Sequence, residues 1–145
     1  FTFPRQHDEE QVCLSDYVSQ NETDNFAMTA VTAGQVASKV INELQENGEL
    51  EKSFLFAGLS TQMAEGLADY IHRKIRLEWG IDEKQGLRYS FGYPACPDLK
   101  DQEKLYRLLK PEDIGLGLTE AWQMDPEQST SALVFHHPQC TYYKV

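Results

Sequence analysis

Apolar positions along this chain recur with two different periods, and the longer one is the clearer. From 33 to 47, Val36, Val40, Ile41 and Leu44 follow helical spacing and Gly48 stands where a helix would stop, which predicts one amphipathic helix. Over 60–78, Met63, Leu67, Ile71 and Ile75 recur every four residues with Ala64 and Ala68 beside them, predicting a second helix. Ser60 or Thr61 would cap its start and Gly80 would close its end. On another face of the same helix, Glu65, Asp69, His72 and Arg76 form a polar stripe, whose plain reading is a solvated, salt-bridged surface. A shorter helix is predicted over 99–109, with Leu105, Leu108 and Leu109 on its buried side.

Residues 11–19 and 25–32 have the alternating, β-branched and aromatic character of short strands, or else of buried irregular segments, separated by the polar run 20–24. Residues 115–124, 131–136 and 141–145 also read as strands, joined by turns at Pro126 and Pro138. The stretch 88–98 is aromatic and broken by glycine and proline. Pro94 and Pro97 exclude a central strand there, so it reads as an ordered loop leading into the third helix. Strands and helices mix without regular βαβ alternation, and the expected class is α+β. With no internal repeat or low-complexity tract, residues 1–145 are read as a single domain.

Charge narrows the partners. With 23 acidic against 13 basic side chains the formal charge is −10, and no Lys/Arg block is segregated on which nucleic acid could dock. No apolar stretch approaches the roughly 20 residues of a membrane span, and no basic start precedes an apolar run as in a signal peptide. The expectation is a cytoplasmic protein with no membrane and no nucleic-acid partner. Cys13, Cys96 and Cys140 are odd in number, far apart and without C-x-x-C spacing, so they read as reduced thiols. Phe1, in place of an initiator methionine, reads as a boundary and not as the natural start.

Sequences for common catalytic devices are missing: there is no P-loop, G-x-S-x-G, H-E-x-x-H or G-x-G-x-x-G. His136 and His137 adjoin Cys140, but adjacent strand residues point to opposite faces, which argues against one shared ion. The stretch 88–97 has a different logic. Arg88 offers a guanidinium fork for a carboxylate, Gly92 a place where backbone can approach a ligand, and Tyr93 an aromatic face for a flat ring. The alternative is a proline-stiffened loop that covers the core, with Arg88 in a surface ion pair. Tyr142 and Tyr143 are similarly open between core and site.

Gly92-Tyr93-Pro94-Ala95-Cys96-Pro97-Asp98 closely resembles the R-P-A-P-G-Y-P-A-C-P signature of the activation domain of cobalamin-dependent methionine synthases. Other segments resemble that family in the same order. Cys13 to Val18 looks like its C-L-A-D-F-V, and Asp24 to Gly34 like its D-Y-I-G-x-F-A-V-T-x-G. Met63-Ala64-Glu65 through His72, with Arg76 and Trp79-Gly80 beyond, is similar to its long helix. Leu118-Thr119-Glu120 matches its L-T-E-S, and His137-Pro138 with Tyr142-Tyr143 its closing H-P-x-x-x-Y-Y.

The resemblance implies an antiparallel twisted sheet with flanking helices, shortened at the N-terminus, and a domain that binds S-adenosylmethionine. Carried over residue by residue, Arg88 would hold the ligand carboxylate, Gly92 and Tyr93 would contact it through backbone and ring, and Tyr142, Tyr143 and Glu65 would complete the site. Asp69, His72 and Arg76 would be structural. The implied activity is reductive reactivation: S-adenosylmethionine supplies a methyl group and a flavodoxin-type donor an electron to oxidised cob(II)alamin. The cobalamin would be carried by a cobalamin-binding domain or subunit of methionine synthase and not by this chain alone. Alternatives are a non-catalytic S-adenosylmethionine-binding or corrinoid-protein docking module, and a structural remnant that has lost the ligand. Tyr89-Ser90-Phe91 replaces the family's P-A-P, and an acidic residue that pairs with the ligand's amino group lies in a part of the family domain upstream of Phe1.

Overall fold

The computed structural model describes residues 1–7 and 11–143. Along the chain its elements are β1 (Ala27–Thr32), α1 (Gln35–Glu46), α2 (Leu50–Trp79), β2 (Leu87–Ser90), α3 (Gln102–Leu109), β3 (Gly117–Leu118), β4 (Met124–Asp125) and β5 (Ser129–Phe135), with 3-10 turns at Leu14–Tyr17, Leu99–Asp101 and Pro111–Ile114. Three strands form an antiparallel sheet in the order β1-β5-β2. The class is α+β with helices against an antiparallel sheet, as expected.

Register decides what each face of the sheet does. Arg88, Val134 and Ala27 are cross-strand neighbours, and so are Tyr89, Leu133 and Met28, one residue along and therefore on the opposite face. The face with Tyr89 and Leu133 carries the main core, joined by Leu14, Tyr17, Leu105, Leu116 and Phe135. Arg88 reaches side chains of α2, so α2 crosses the other face. β5, flanked on both edges, is buried from Thr130 to Phe135.

Helix α2 departs from its expected form in two ways. It starts ten residues earlier, at Leu50, and Ser60 and Thr61 lie inside it, their hydroxyls donating to the carbonyls of Phe56 and Ala57 instead of capping a start. Its buried residues are Ser53, Ser60, Ala64, Ala68 and His72, whereas Met63 and Leu67 are exposed. The reason is close approach: α2 crosses the sheet where Ala132 and Val134 face it, and small side chains let the two backbones come together. Gly80 does end the helix, in a left-handed conformation at φ 67°, and α1 ends before Gly48 at φ 75°.

Of the two readings left open for 11–19 the buried irregular one holds, and two strand expectations further along are corrected. Within 11–19 the chain makes a 3-10 turn over Leu14–Tyr17; both of those residues are buried, and a strand would send positions i and i+3 to opposite faces whereas a 3-10 turn aligns them. Within 115–124 only two short pieces pair, β3 with β4, because Thr119 to Trp122 fold into a turn closed by a Trp122 N–H to Thr119 O bond. Thr141 to Tyr143 form no strand, being tied to tyrosine hydroxyls instead of a ladder, and Lys144 and Val145 lie outside the described residues. Among the described residues no helix is long and apolar enough to cross a membrane.

Candidate ligand cleft

Arg88 lies on a strand and not in a loop. The loop expectation fails because the prolines come only after the chain has left the sheet: β2 pairs Leu87–Ser90 with β5, and the turn begins at Phe91. From β2 the Arg88 side chain, 15% exposed, meets α2. Its Nη2 donates to Glu65 Oε2 at 2.6 Å and to Asp69 Oδ1 at 3.1 Å. Glu65 and Asp69 are one helical turn apart, which is why both carboxylates reach one nitrogen. Burial opposes the guanidinium charge, but Glu65 first and Asp69 second outweigh it and raise its pKa. Among the described residues nothing else bonds this guanidinium, so its Nε and Nη1 hydrogens have no protein acceptor.

Beside Arg88 opens a cleft of about 380 Å³, lined by Glu65, Arg88, Tyr93, Tyr142 and Tyr143 together with Tyr89 to Ser90 and Pro94 to Ala95. That volume lies within the usual range of about 300–1,000 Å³ for small-molecule sites. Tyr89 organises the tyrosine wall from beneath. Its hydroxyl donates to Thr141 O at 2.7 Å, Thr141 N–H donates to Tyr17 Oη at 3.3 Å, and its ring lies 6.0 Å from those of both Tyr142 and Tyr143. Tyr142 and Tyr93 are exposed, while the Tyr143 hydroxyl is buried without a partner among the described residues. Burial raises the Tyr143 and Tyr89 pKa values, so both are neutral phenols at pH 7.

Five of the six residues assigned by resemblance therefore meet in one cleft, from α2, β2, the turn after it and the chain's end. Gly92 is not in its lining: at φ 84° it makes the turn, its N–H donates to Cys96 O at 2.8 Å, and a Cβ there would come within 3.0 Å of Leu99. Tyr89 and Phe91, which stand where the family has prolines, are buried core residues, and strand pairing holds Arg88 where the prolines would have stiffened it.

The residues that sequence reasoning set aside as structural adjoin the site. Asp69 and His72 line a smaller cavity of about 260 Å³ with Arg73, Arg76, Arg88 and Tyr142, behind the Arg88 side chain. Arg76 ties α2 to the turn before β2 through the carbonyls of Gln85 and Gly86, at 2.7 and 2.6 Å. His72 is buried, its Nε2 without a partner among the described residues; desolvation, then the charges of Arg76 and Arg88, lower its pKa to about 4, against a weaker opposing pull from Asp69. The solvated-stripe reading thus holds for neither His72 nor Arg76, because the stripe faces the β2 edge. At the same end of the sheet, where Gln85 donates to the His136 carbonyl, His136 bonds Asp24 at 2.8 Å, and among the described residues no group of three His, Cys, Asp or Glu side chains could hold a metal ion. The three thiols are unpaired.

The proteins that this chain resembles are of one class. Residues 2–145 match the family described as vitamin B12 dependent methionine synthase, activation domain. Methionine synthases of Mycobacterium leprae and Mycobacterium tuberculosis are 35% and 36% identical over 171 aligned residues, covering all of this chain and 14% of each relative. A crystal structure of the MetH reactivation domain bound to AdoHcy superimposes with a TM-score of 0.84 at 28% identity, over 92% of this chain and 46% of that one. The chain belongs to the methionine synthase activation-domain family. It spans about one seventh of the length of the synthases it matches.

Proposed function

We infer that this chain binds S-adenosylmethionine in the cleft between α2, β2 and the C-terminal tyrosines, and in doing so supports reductive methylation of the corrinoid of methionine synthase. The observation that carries this reading is the convergence of Glu65, Arg88, Tyr93, Tyr142 and Tyr143 on one cleft, in a fold shared with a reactivation domain that binds AdoHcy. The donor set suits the ligand. Arg88 presents unused N–H groups to a carboxylate, Glu65 offers an anionic oxygen beside an ammonium or sulfonium, and the tyrosine rings offer faces to an adenine. Gly92 shapes the turn that carries Tyr93.

When bound, S-adenosylmethionine supplies the methyl group; the chain's part is to hold and orient it, which asks for no nucleophile or general base. In this reading the cobalamin sits on a neighbouring domain or subunit, a flavodoxin-type donor provides the electron, and the setting is cytoplasmic, in keeping with three unpaired thiols.

Isothermal titration with S-adenosylmethionine, S-adenosylhomocysteine and 5′-methylthioadenosine tests the reading. The first two should bind, and Arg88→Ala should weaken both by at least about 30-fold, the effect of removing one partner of a desolvated charge pair. Methylthioadenosine, which lacks the carboxylate, should lose far less. Absence of heat and of thermal shift at millimolar ligand, or unchanged affinity in a folded Arg88→Ala protein, overturns it.

A further inference from the structure

Through Phe3, Leu14 and Tyr17 the start of the chain packs against the core face of the sheet: Leu14 and Tyr17 are buried, Tyr17 stacks on Tyr89 of β2 at 6.2 Å, and the Phe3 ring meets Phe135 edge-on at 6.4 Å. Its two stretches are tied to each other. Arg5 Nη1 and Nη2 donate to Asp16 Oδ2 and Oδ1 at 2.7 and 2.8 Å, Gln6 N–H donates to Val12 O at 3.0 Å, and Cys13 N–H donates to Asp16 Oδ2 at 3.0 Å. A forked Arg–carboxylate pair fixes orientation as well as contact, so Arg5, Gln6, Asp16 and Tyr17 keep one mutual arrangement.

Each end of that unit reaches one wall of the ligand cleft from outside. Gln6 Nε2 donates to Pro94 O at 3.0 Å, across 88 residues of sequence. Tyr17 Oη accepts from Thr141 N–H at 3.3 Å, immediately before Tyr142 and Tyr143. The walls differ in what else holds them. The tyrosine wall has a second tie, the Tyr89 hydroxyl donating to Thr141 O at 2.7 Å. The opposite wall is a turn closed on itself, Gly92 N–H to Cys96 O at 2.8 Å and Cys96 N–H to Tyr93 O at 2.9 Å, and it lines the cleft with Tyr93, Pro94 and Ala95. Among the described residues Gln6 is the only side chain that hydrogen-bonds residues 92–96. Ala95 and Cys96 are buried and set the depth of the turn. Apolar packing is non-directional, however, and the orientation of the Pro94 carbonyl rests on Gln6.

We propose that Gln6 is a positioning residue for the ligand: by holding Pro94 O it fixes the wall of Tyr93, Pro94 and Ala95 at the separation from Tyr142 and Tyr143 that grips an adenine ring. The inference rests on the reading of the cleft given above and adds to it a residue outside the cleft lining. An amide suits the place. Its Nε2–H donates without charge, whereas a carboxylate of the same size has no hydrogen to give at neutral pH and sets a negative oxygen against the Pro94 carbonyl.

Gln6→Ala and the isosteric Gln6→Glu test this at pH 7.5, by titration with S-adenosylhomocysteine and 5′-methylthioadenosine and by amide hydrogen exchange in the free protein. Both variants should bind about 3- to 10-fold more weakly, the range spanned by loss of one hydrogen bond. The two ligands should lose equally, because the wall serves the adenosine part that they share; Arg88→Ala, by contrast, spares methylthioadenosine. Exchange at the Cys96 amide, which closes the turn, should quicken about threefold or more relative to Val134 in β5. Gly115→Ala strains a turn outside the cleft lining and controls for lost stability: it should bind both ligands as wild type does. Affinity within about twofold of wild type in either Gln6 variant, unchanged Cys96 exchange, or a loss that Gly115→Ala reproduces overturns this inference and leaves the cleft reading standing. A loss confined to S-adenosylhomocysteine also overturns it, since Gln6 would then act through Arg88 and not through the wall. Failure of wild type to bind either ligand overturns both.

Discussion

Asp69 grips Arg88 from behind: its Oδ1 stands 3.1 Å from Nη2, yet Asp69 lines the small cavity with His72 and not the main cleft, whereas Glu65 lines the cleft itself. The two carboxylates are therefore unequal. A cationic group of a ligand in the cleft can draw on Glu65, and Asp69 then remains as the counter-charge that keeps the guanidinium in place.

Asp69→Asn should accordingly act through Arg88 and only on ligands with a carboxylate. Affinity for S-adenosylhomocysteine should fall about 3- to 10-fold, equivalent to roughly 1 kcal/mol, with methylthioadenosine unaffected and Asp69→Glu restoring most of the loss. Stability should change by no more than about 1 kcal/mol, because the Asp69 side chain is 60% exposed and such pairs are screened. Equal losses for both ligands in a titration would mean that Asp69 shapes the cleft generally and does not position Arg88.

Gly86 sets the approach of β2 to β5. At φ 73° it is already in the left-handed region, and a Cβ there would lie 2.2 Å from the carbonyl oxygen of Phe135 and 2.9 Å from the Cα of His136. Gly86→Ala should cost more than about 3 kcal/mol in urea unfolding, conformational strain and backbone collision adding together. Gly115 is the control: at φ 76° with nothing within 4 Å of its Cβ position, its alanine variant should lose only about 1–2 kcal/mol. Comparable losses at the two glycines would remove the collision from the account.

The parts legible in sequence were those in which local pattern and tertiary environment agree. The positions of α1, α3 and β1 and the stop at Gly80 follow from periodicity and cap chemistry, but not every apolar position turns inward: of the leucines expected on the buried side of α3 only Leu105 is buried, with Gln102 and Tyr106 beside it, while Leu108 and Leu109 are exposed, as is Val36 of α1. The face of α2 was not readable that way, because burial there follows backbone proximity to the sheet and favours Ala64, Ala68 and Ser60 over the larger Met63 and Leu67. Arg88 was found by its chemistry but misplaced in a loop, since Pro94 obscured the four paired residues before it. The link from Arg88 to Asp69 spans 19 residues and depends on strand register, which no local pattern encodes; the i, i+4 spacing of Glu65 and Asp69 was its only trace. Tyr89 was noticed only as a departure from the family, though its hydroxyl anchors the segment that presents Tyr142 and Tyr143.

His72 should give stability a pH dependence of its own. It is buried on α2 with Asp69, Arg73 and Arg76 from the same helix and Leu87, Arg88 and Tyr142 from the strand and tail packed against it. Desolvation and the two cationic neighbours Arg76 and Arg88 lower its pKa from 6.5 to about 4, so the folded state holds it neutral across a range in which the unfolded chain takes up a proton. Stability rises with pH wherever the unfolded state binds more protons, so this contribution is whole above about pH 6.5, declines as pH falls toward 4, and is fully lost below that, a difference on the order of 3 kcal/mol. His72→Phe keeps the volume and removes the titration. Urea unfolding from pH 7.5 to 4 should show wild type losing stability relative to the variant, with most of the divergence between pH 6.5 and 4. Parallel curves for the two proteins over that interval would show that His72 titrates alike in the folded and unfolded chains and that the Arg76 and Arg88 charges do not reach it.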